Sequence, residues 1–497
     1  MNLVLLSLLP FVVLTYLLLV KKVNAGLTML AVYLLTAALL FFFWDAAPEL
    51  LIAASLNGLV IGTELFLIII GVLLLFFLLK HNGRLDDLQQ FFMDYSDDTR
   101  IHIILIGWFF VSFLEGVAGF GTPAAIAAPL LVVLGVRPLI AVILTLMADS
   151  AAVAFGAFGT TMVVGIASAA PEADLAAVSA TAGIVTAFVS VFIPLAMLYV
   201  HSRLAEIPLT RNYILFALAS GAAFAVPFML TAIFLGPELP SVAGAVAGLI
   251  LIMLLLRLGL FFGNPKKLPP VKPVVGALFP YALVVALLFA SRANLLGFGD
   301  LLRSAGTTLI FTEEITHTLS AFTPGVLILI AFGVAYAMQP NRASFEAFGK
   351  AVPALLVLLP TLAFAQLIIT SSLTDEPGIP ELVASLFAGT GYLYLLFATV
   401  IGAFGTFIAG SATVSNLMLG AVQASAAGVN ELPDTLILAL QAAGAAAGNM
   451  IAIHNIVAVL AVVHLQEGLP VIIKNNFLVV GGFVLFTALA AAVYLLL

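Results

Sequence analysis

The stretch LEGVAGFGTPAAIAAPLLVVLG, Leu114 to Gly135, decides how this chain is read. It is apolar enough for a membrane, yet it carries four glycines, two prolines and Glu115. A straight helical span needs about 20 apolar residues without such interruptions. Arg100 precedes the stretch and Arg137 follows it. If both mark the same membrane face, residues 101–135 enter and come back as a re-entrant hairpin that turns near Gly116–Pro123. Irregular backbone at membrane depth is tolerated only where it is buried in protein or lines a cavity.

The rest of the chain fits a membrane setting. Of its 497 residues, 17 are Lys or Arg and 24 are Asp or Glu, which is 8% charged. A soluble domain carries about 25%. Hydrophobic residues make up 64% and the mean hydropathy is +1.27. So few charges cannot cover a soluble surface of this length. The net charge of -7 gives no basic footprint for nucleic acid. There is no Cys, so no disulfide, zinc thiolate or thiol nucleophile. No P-loop, HExxH or GxSxG motif is present, and no enzyme or cofactor reading has positive support.

Apolar runs lie at 2–20, 24–44, 57–79, 176–199, 213–235, 240–262, 275–291, 321–338, 353–370 and 477–497. Runs of this length without period-2 alternation do not suit a transmembrane barrel. The first run is followed, not preceded, by Lys21-Lys22, and reads as a retained span rather than a signal peptide. Fifteen of the 17 basic residues, from Lys21 to Lys474, can be placed on one face; only Arg292 and Arg303 fall on the other. The positive-inside rule makes the first face the inner one and puts both termini outside. A broken span at 138–165 follows the first hairpin. A second hairpin is expected at 384–428, with a broken span at 434–466.

The expected fold is all-α and polytopic, with about twelve transmembrane helices plus two re-entrant hairpins. Its halves share one order of parts in opposite orientation: residues 1–200 form the first inverted repeat, 201–272 a linking helix pair, and 273–497 the second repeat. Phe113-Leu-Glu-Gly116 matches Phe407-Ile-Ala-Gly410 at an offset of 294. GAFGT occurs at 156–160 and at 402–406, but off that register, and it carries no weight in the comparison. Inverted repeats with paired interruptions mark secondary transporters, whose substrate sits at the midplane between the interruptions. Gly244-Ala-Val-Ala-Gly248, by contrast, reads as helix packing.

Candidate site residues follow from that placement. In the first hairpin they are Glu115, Gly119, Gly121, Thr122 and Pro123, a helix start suited to a carboxylate. In the second they are Ser411, Thr413, Ser415 and Asn416. The bland reading of each polar residue alone is a cap or a back-bond to its own helix. Asn449, His454 and Asn455 lie in the second broken span, and Asp149 in the first. An acid at mid-bilayer costs about 2.5–3.5 kcal/mol on insertion scales, which makes function the default hypothesis. Asp149 is read as a proton-coupling group, Glu115 as either a coupling group or a cap on the hairpin turn, and Glu64 as structural. His454 is either a relay or substrate donor, or a neutral packed side chain. His102 and His464 are read as interfacial, and His81, His201 and His317 as loop residues.

The stretch 114–135, followed by VAFGAFG (153–159), resembles the signature of the lactate permease family. GSATVSN (410–416) and GNMIAIHNIVA (448–458) are similar to its second-half motifs, and the resemblance runs through the whole chain. It implies proton symporters of lactate, glycolate and similar 2-hydroxy monocarboxylates, with paired hairpins and an elevator motion. By position it supports Glu115, Gly116, Gly119, Gly121 and Pro123, then Gly410, Ser411, Thr413, Ser415 and Asn416. The chain departs from the family pattern at three single residues and in the pair His454-Asn455. It has Ala412 where the family has an acid, Asn449 where it has Lys, and Asp149 where it has Asn.

The expected function is import of a small 2-hydroxy monocarboxylate such as L-lactate or glycolate by proton symport with alternating access, across the cell membrane. The alternatives are a sodium-coupled transporter of another organic anion, and a channel. The expected partners are the carboxylate, the coupling proton or sodium ion, the bilayer and, in a homo-oligomer, further copies of the chain.

Overall fold

The computed structural model describes residues 3–119, 122–263, 269–270, 272–340, 343–465 and 467–496. Gly121 therefore lies outside the described residues, as do Lys266, Lys267 and Arg342 of the basic set. Among the described residues, twelve helices are long and apolar enough to cross a membrane, thirteen if the bent pair Asp434–Ile451 and Ile453–Val462 forms one span. The chain is an all-α polytopic protein.

Two helical hairpins stand out. The first runs through Thr99–Val117 and returns along Thr122–Val133. Its outgoing arm closes where the N–H groups of Ala118 and Gly119 donate to the Leu114 carbonyl. Gly119 there takes φ +56°, a left-handed conformation that glycine adopts without steric cost. The second hairpin pairs Tyr394–Ala409 with Ala412–Val429. Gly410 at φ +73° ends its first arm, and the Ser411 hydroxyl caps the second by accepting from Val414 N.

The two broken helices differ in how they break. The first, Pro138–Val153, runs into three consecutive left-handed residues: Ala157 (φ 46°), Phe158 (φ 51°) and Gly159 (φ 76°). Left-handed non-glycine residues are costly and persist only when their surroundings over-determine them. Here the carbonyls freed by the break are taken up locally. Ser241 Oγ donates to Ala152 O at 2.7 Å, Thr161 Oγ1 to Ala154 O at 2.6 Å, and Thr160 Oγ1 to Ala157 O at 2.6 Å. A Cβ on Gly159 would lie 2.4 Å from the Pro237 carbonyl oxygen, so only glycine fits. The second broken helix bends by 41° between Ile451 and Ile453. Asn476 Nδ2 donates to the Met450 carbonyl at 2.8 Å beside that bend.

The two copies of GAFGT fold differently. At 156–160 the pentapeptide is the break. At 402–406 it continues the helix Tyr394–Ala409, and Gly402 gives room for the Gln441 carbonyl, 2.3 Å from where a Cβ would sit.

Several expectations need correction. The run at 321–338 is a 15-residue helix, Pro324–Met338, about 22 Å long and shorter than a bilayer core. It is preceded by an antiparallel pair of strands, Gly306–Ile310 and Thr316–Ser320, between the apolar runs 275–291 and 321–338. The helix expected over 240–262 stops at Arg257. His201 is a buried helix residue, His317 lies in the second strand, and His81 ends the long helix Pro48–His81. That long helix packs on Ala343–Thr370 through Gly58, whose Cβ would meet the Ala363 backbone at 2.8 Å. Asn57 Nδ2 donates to Gln366 Oε1 across this interface, and Gln366 Nε2 reaches the Ser168 carbonyl at the far end of the first broken span.

Candidate functional site

Both hairpins and both breaks converge. Glu115, on the outgoing arm of the first hairpin, is 5% exposed, and Asp149, in the first broken helix, is 1% exposed. Their carboxyl groups interact directly. Asn449 Nδ2 donates to Asp149 Oδ2 at 3.1 Å, and Asn455 Nδ2 donates to Asn449 Oδ1 at 2.6 Å. A polar line thus runs Glu115–Asp149–Asn449–Asn455, from the first hairpin through the first broken helix into the second break. Asp149 and Asn449, one in each broken helix, are hydrogen-bond partners.

The electrostatics of this line are unusual. Among the described residues, neither acid forms an ion pair with a base. Asp149 Oδ1 is buried without a donor. Two ionised carboxylates in a dry site repel each other and offer only acceptors. They can satisfy each other only when a proton lies between them.

Gly119 sits beside this pair; a Cβ there would meet Ala157 Cβ at 3.1 Å and Glu115 Oε1 at 3.4 Å. Pro123 is buried at the start of the returning arm. The side chain of Thr122 falls outside the described residues. The second hairpin meets the same region from the other side. Asn416 Nδ2 donates to Thr161 O at 3.0 Å, and Gly165 packs on Asn416 Cβ and on the Thr413 carbonyl. At its tip, a Cβ on Gly410 would lie 3.0 Å from His454 Cβ.

The predicted residues divide by what their polar groups do. Ser411 acts as a helix cap. Thr413 is 5% exposed, close to the tip. His454 is exposed rather than packed. Ser415 and Asn416 are fully buried and spent internally: Ser415 Oγ donates to Gly402 O at 2.9 Å and accepts from Gln441.

Three side chains not singled out in the sequence, Gln441, Gln423 and Tyr394, complete the scaffold around Ser415 and Asn416. Gln441 Nε2 donates to Ser415 Oγ (3.1 Å) and Asn416 Oδ1 (3.3 Å), and its Oε1 accepts from Gln423 Nε2 (2.8 Å). Gln423 Nε2 also reaches Ala398 O, and Tyr394 OH donates to Gln423 Oε1 at 2.8 Å. Five side chains therefore form one buried network in which the amide hydrogens and hydroxyls find acceptors. The available signal was a lone amide in an apolar helix, LILALQAAG, which at membrane depth marks an interhelical hydrogen bond.

Apolar helices of this length, folded back as hairpins around two buried breaks, define a multi-pass membrane protein. The model of the L-lactate permease family matches residues 3–323 and 307–497, and the chain belongs to that family. It is similar to an L-lactate permease of Streptococcus iniae, at 30% identity over 76% of this chain and 80% of the relative. An L-lactate permease of Bacillus subtilis is 29% identical over 90% of this chain and 87% of its own. The glycolate permease GlcA of Escherichia coli is 27% identical over 86% and 84%. Among solved structures, Neisseria gonorrhoeae MtrF aligns over 92% of this chain and 85% of its own, with a TM-score of 0.48 and 13% identity. The family is one of permeases, and its members sit in the cell membrane.

Proposed function

We propose that this protein imports a small 2-hydroxy monocarboxylate, L-lactate or glycolate, together with a proton and by alternating access. The substrate class follows the relatives, which are L-lactate and glycolate permeases. The observation that carries the coupling is the hydrogen bond from Asn449 to Asp149, which joins the two breaks at a buried carboxyl pair. With both acids ionised, the site holds two negative charges and repels a third. One bound proton halves that charge, so proton and carboxylate favour each other's binding, as symport requires. Glu115 and Asp149 carry the proton in this reading. The carboxylate sits between the hairpin tips near Gly119, Ser411, Thr413 and His454, while Ser415 and Asn416 hold the second tip in place. The two halves, 1–200 and 273–497, act as inverted repeats around residues 201–272.

The sodium reading has less support. A sodium site at a break needs open carbonyls. Those of Ala152, Ala154, Ala157, Thr161 and Met450 already accept side-chain hydrogen bonds. The deciding experiment is uptake of labelled lactate into proteoliposomes under an imposed pH gradient and, separately, a sodium gradient. Accumulation with the pH gradient alone is expected; accumulation with sodium alone would reverse the conclusion.

A further inference from the structure

We propose that Gly156 is a positioning residue that seats the Glu115 carboxyl against Asp149, so that the pair holds one shared proton. This rests on the coupling reading above and names what builds its proton site. An ideal Cβ on Gly156 would lie 2.2 Å from Glu115 Oε1, 3.2 Å from its Cδ and 3.6 Å from its Cγ. All three nearest atoms belong to that one side chain. Gly119 borders the same oxygen, which lies 3.4 Å from where its own Cβ would sit. The carboxyl therefore lies in a cradle of two glycines, one from the hairpin and one from the break.

The break holds the cradle in place. Gly156 directly precedes the left-handed run Ala157–Gly159 and is itself free of positive φ; Thr160 bonds the Ala157 carbonyl within the run, Thr161 bonds the Ala154 carbonyl just before it, and the Pro237 carbonyl packs against Gly159. Strain at such a corner is retained where it sets up a function. Among the described residues, the charged group facing Glu115 is Asp149; Asp149 in turn faces Glu115 and the neutral amide of Asn449. A proton carried by one carboxyl bridges to an oxygen of the other and leaves the pair with a single negative charge. Its release returns the pair to two negative charges and restores the mutual repulsion. One pair thus takes up and gives back one proton.

The test is Gly156→Ala. The new methyl meets only the flexible end of Glu115, so the backbone is left alone and the carboxyl is displaced. In proteoliposomes without any gradient, at a pH low enough to keep the pair protonated, lactate counterflow should fall less than accumulation does. Proton-driven accumulation should fall on the order of tenfold. The double variant Glu115→Asp with Gly156→Ala, whose acid is one methylene shorter, should regain accumulation. Wild-type accumulation by Gly156→Ala would overturn the assignment. So would a parallel loss of counterflow and accumulation that Glu115→Asp does not repair, which is the mark of a packing role. Failure of the coupling reading itself looks different: the double variant Glu115→Gln with Asp149→Asn would still accumulate lactate under a pH gradient.

Discussion

Asn416 donates its side-chain N–H to the carbonyl oxygen of Thr161, 3.0 Å away and 255 positions earlier in the chain. This one bond registers the second hairpin on the first broken helix. Behind it stand Gln441, Gln423 and Tyr394, so the tip is held by a network and not by a lone contact.

Gln441→Leu should show what that network contributes. Leucine has similar bulk but leaves Asn416 Oδ1 without its donor and strips Gln423 Nε2 of one acceptor. A buried group left unpaired costs about 1–3 kcal/mol. The expected result is a lowered melting temperature of the purified protein, with a raised KM for lactate as the tip loosens. Gln441→Glu, which keeps the acceptor but removes the donor, should be impaired as well.

The Asp98 end of the first hairpin should respond to acid. Burial works against the Asp98 carboxylate, but hydrogen bonds from Tyr213 and the Arg100 backbone, with the Arg100 charge, outweigh it and hold its pKa below the ordinary 3.8. A depressed carboxyl adds stability that is complete above its unfolded pKa and is lost as pH falls through the folded one. Thermal stability should therefore decline below about pH 4. Asp98→Asn should lower stability at neutral pH and flatten that acid limb. Loss of the cap on Arg100 N in Asp98→Ala should cost about 1 kcal/mol.

Not every acid in an apolar run should matter to coupling. Glu64 accepts from, or pairs with, His317 Nε2 at 3.0 Å, which docks the strand pair on the helix Pro48–His81. His317→Ala and Glu64→Gln should expose residues 306–320 to protease. Proton-driven uptake should change by no more than roughly fivefold, since the pair lies at the strand–helix contact, 19% and 20% exposed, and partly exposed pairs are worth about 0–1 kcal/mol. Loss of coupling in Glu64→Gln would move the proton site away from Glu115 and Asp149.

The fold class was legible because charge is so scarce that each basic residue acts as a topological marker. The break in the first half was legible as a zone, from its small and polar residues near Asp149. Its position was not. The same five residues, GAFGT, form a left-handed corner at 156–160 and ordinary helix at 402–406. Local sequence cannot separate the two. What decides is tertiary: the Pro237 carbonyl against Gly159 in one case, and the Gln441 carbonyl against Gly402 in the other. The internal partners of Ser415 and Asn416, two of the residues expected at the site, were hidden for a related reason. A pattern of hydroxyls and amides on a helix shows that partners are needed, but not on which side they wait. The strand pair was overlooked although TTLIFTEEITHTLS places β-branched residues on both sides of an acidic turn.

The capped carbonyls of the two breaks have a consequence for energy conservation. An interrupted helix with bare carbonyls would seat a file of water molecules, and such a file conducts protons down the membrane potential whether or not substrate is present. At Ala152, Ala154, Ala157, Thr161 and Met450 the seats are taken by hydroxyls and amides of the protein. On the proton-coupled reading, the interruptions thus supply polarity to the binding site while leaving fewer carbonyls to seat such a file.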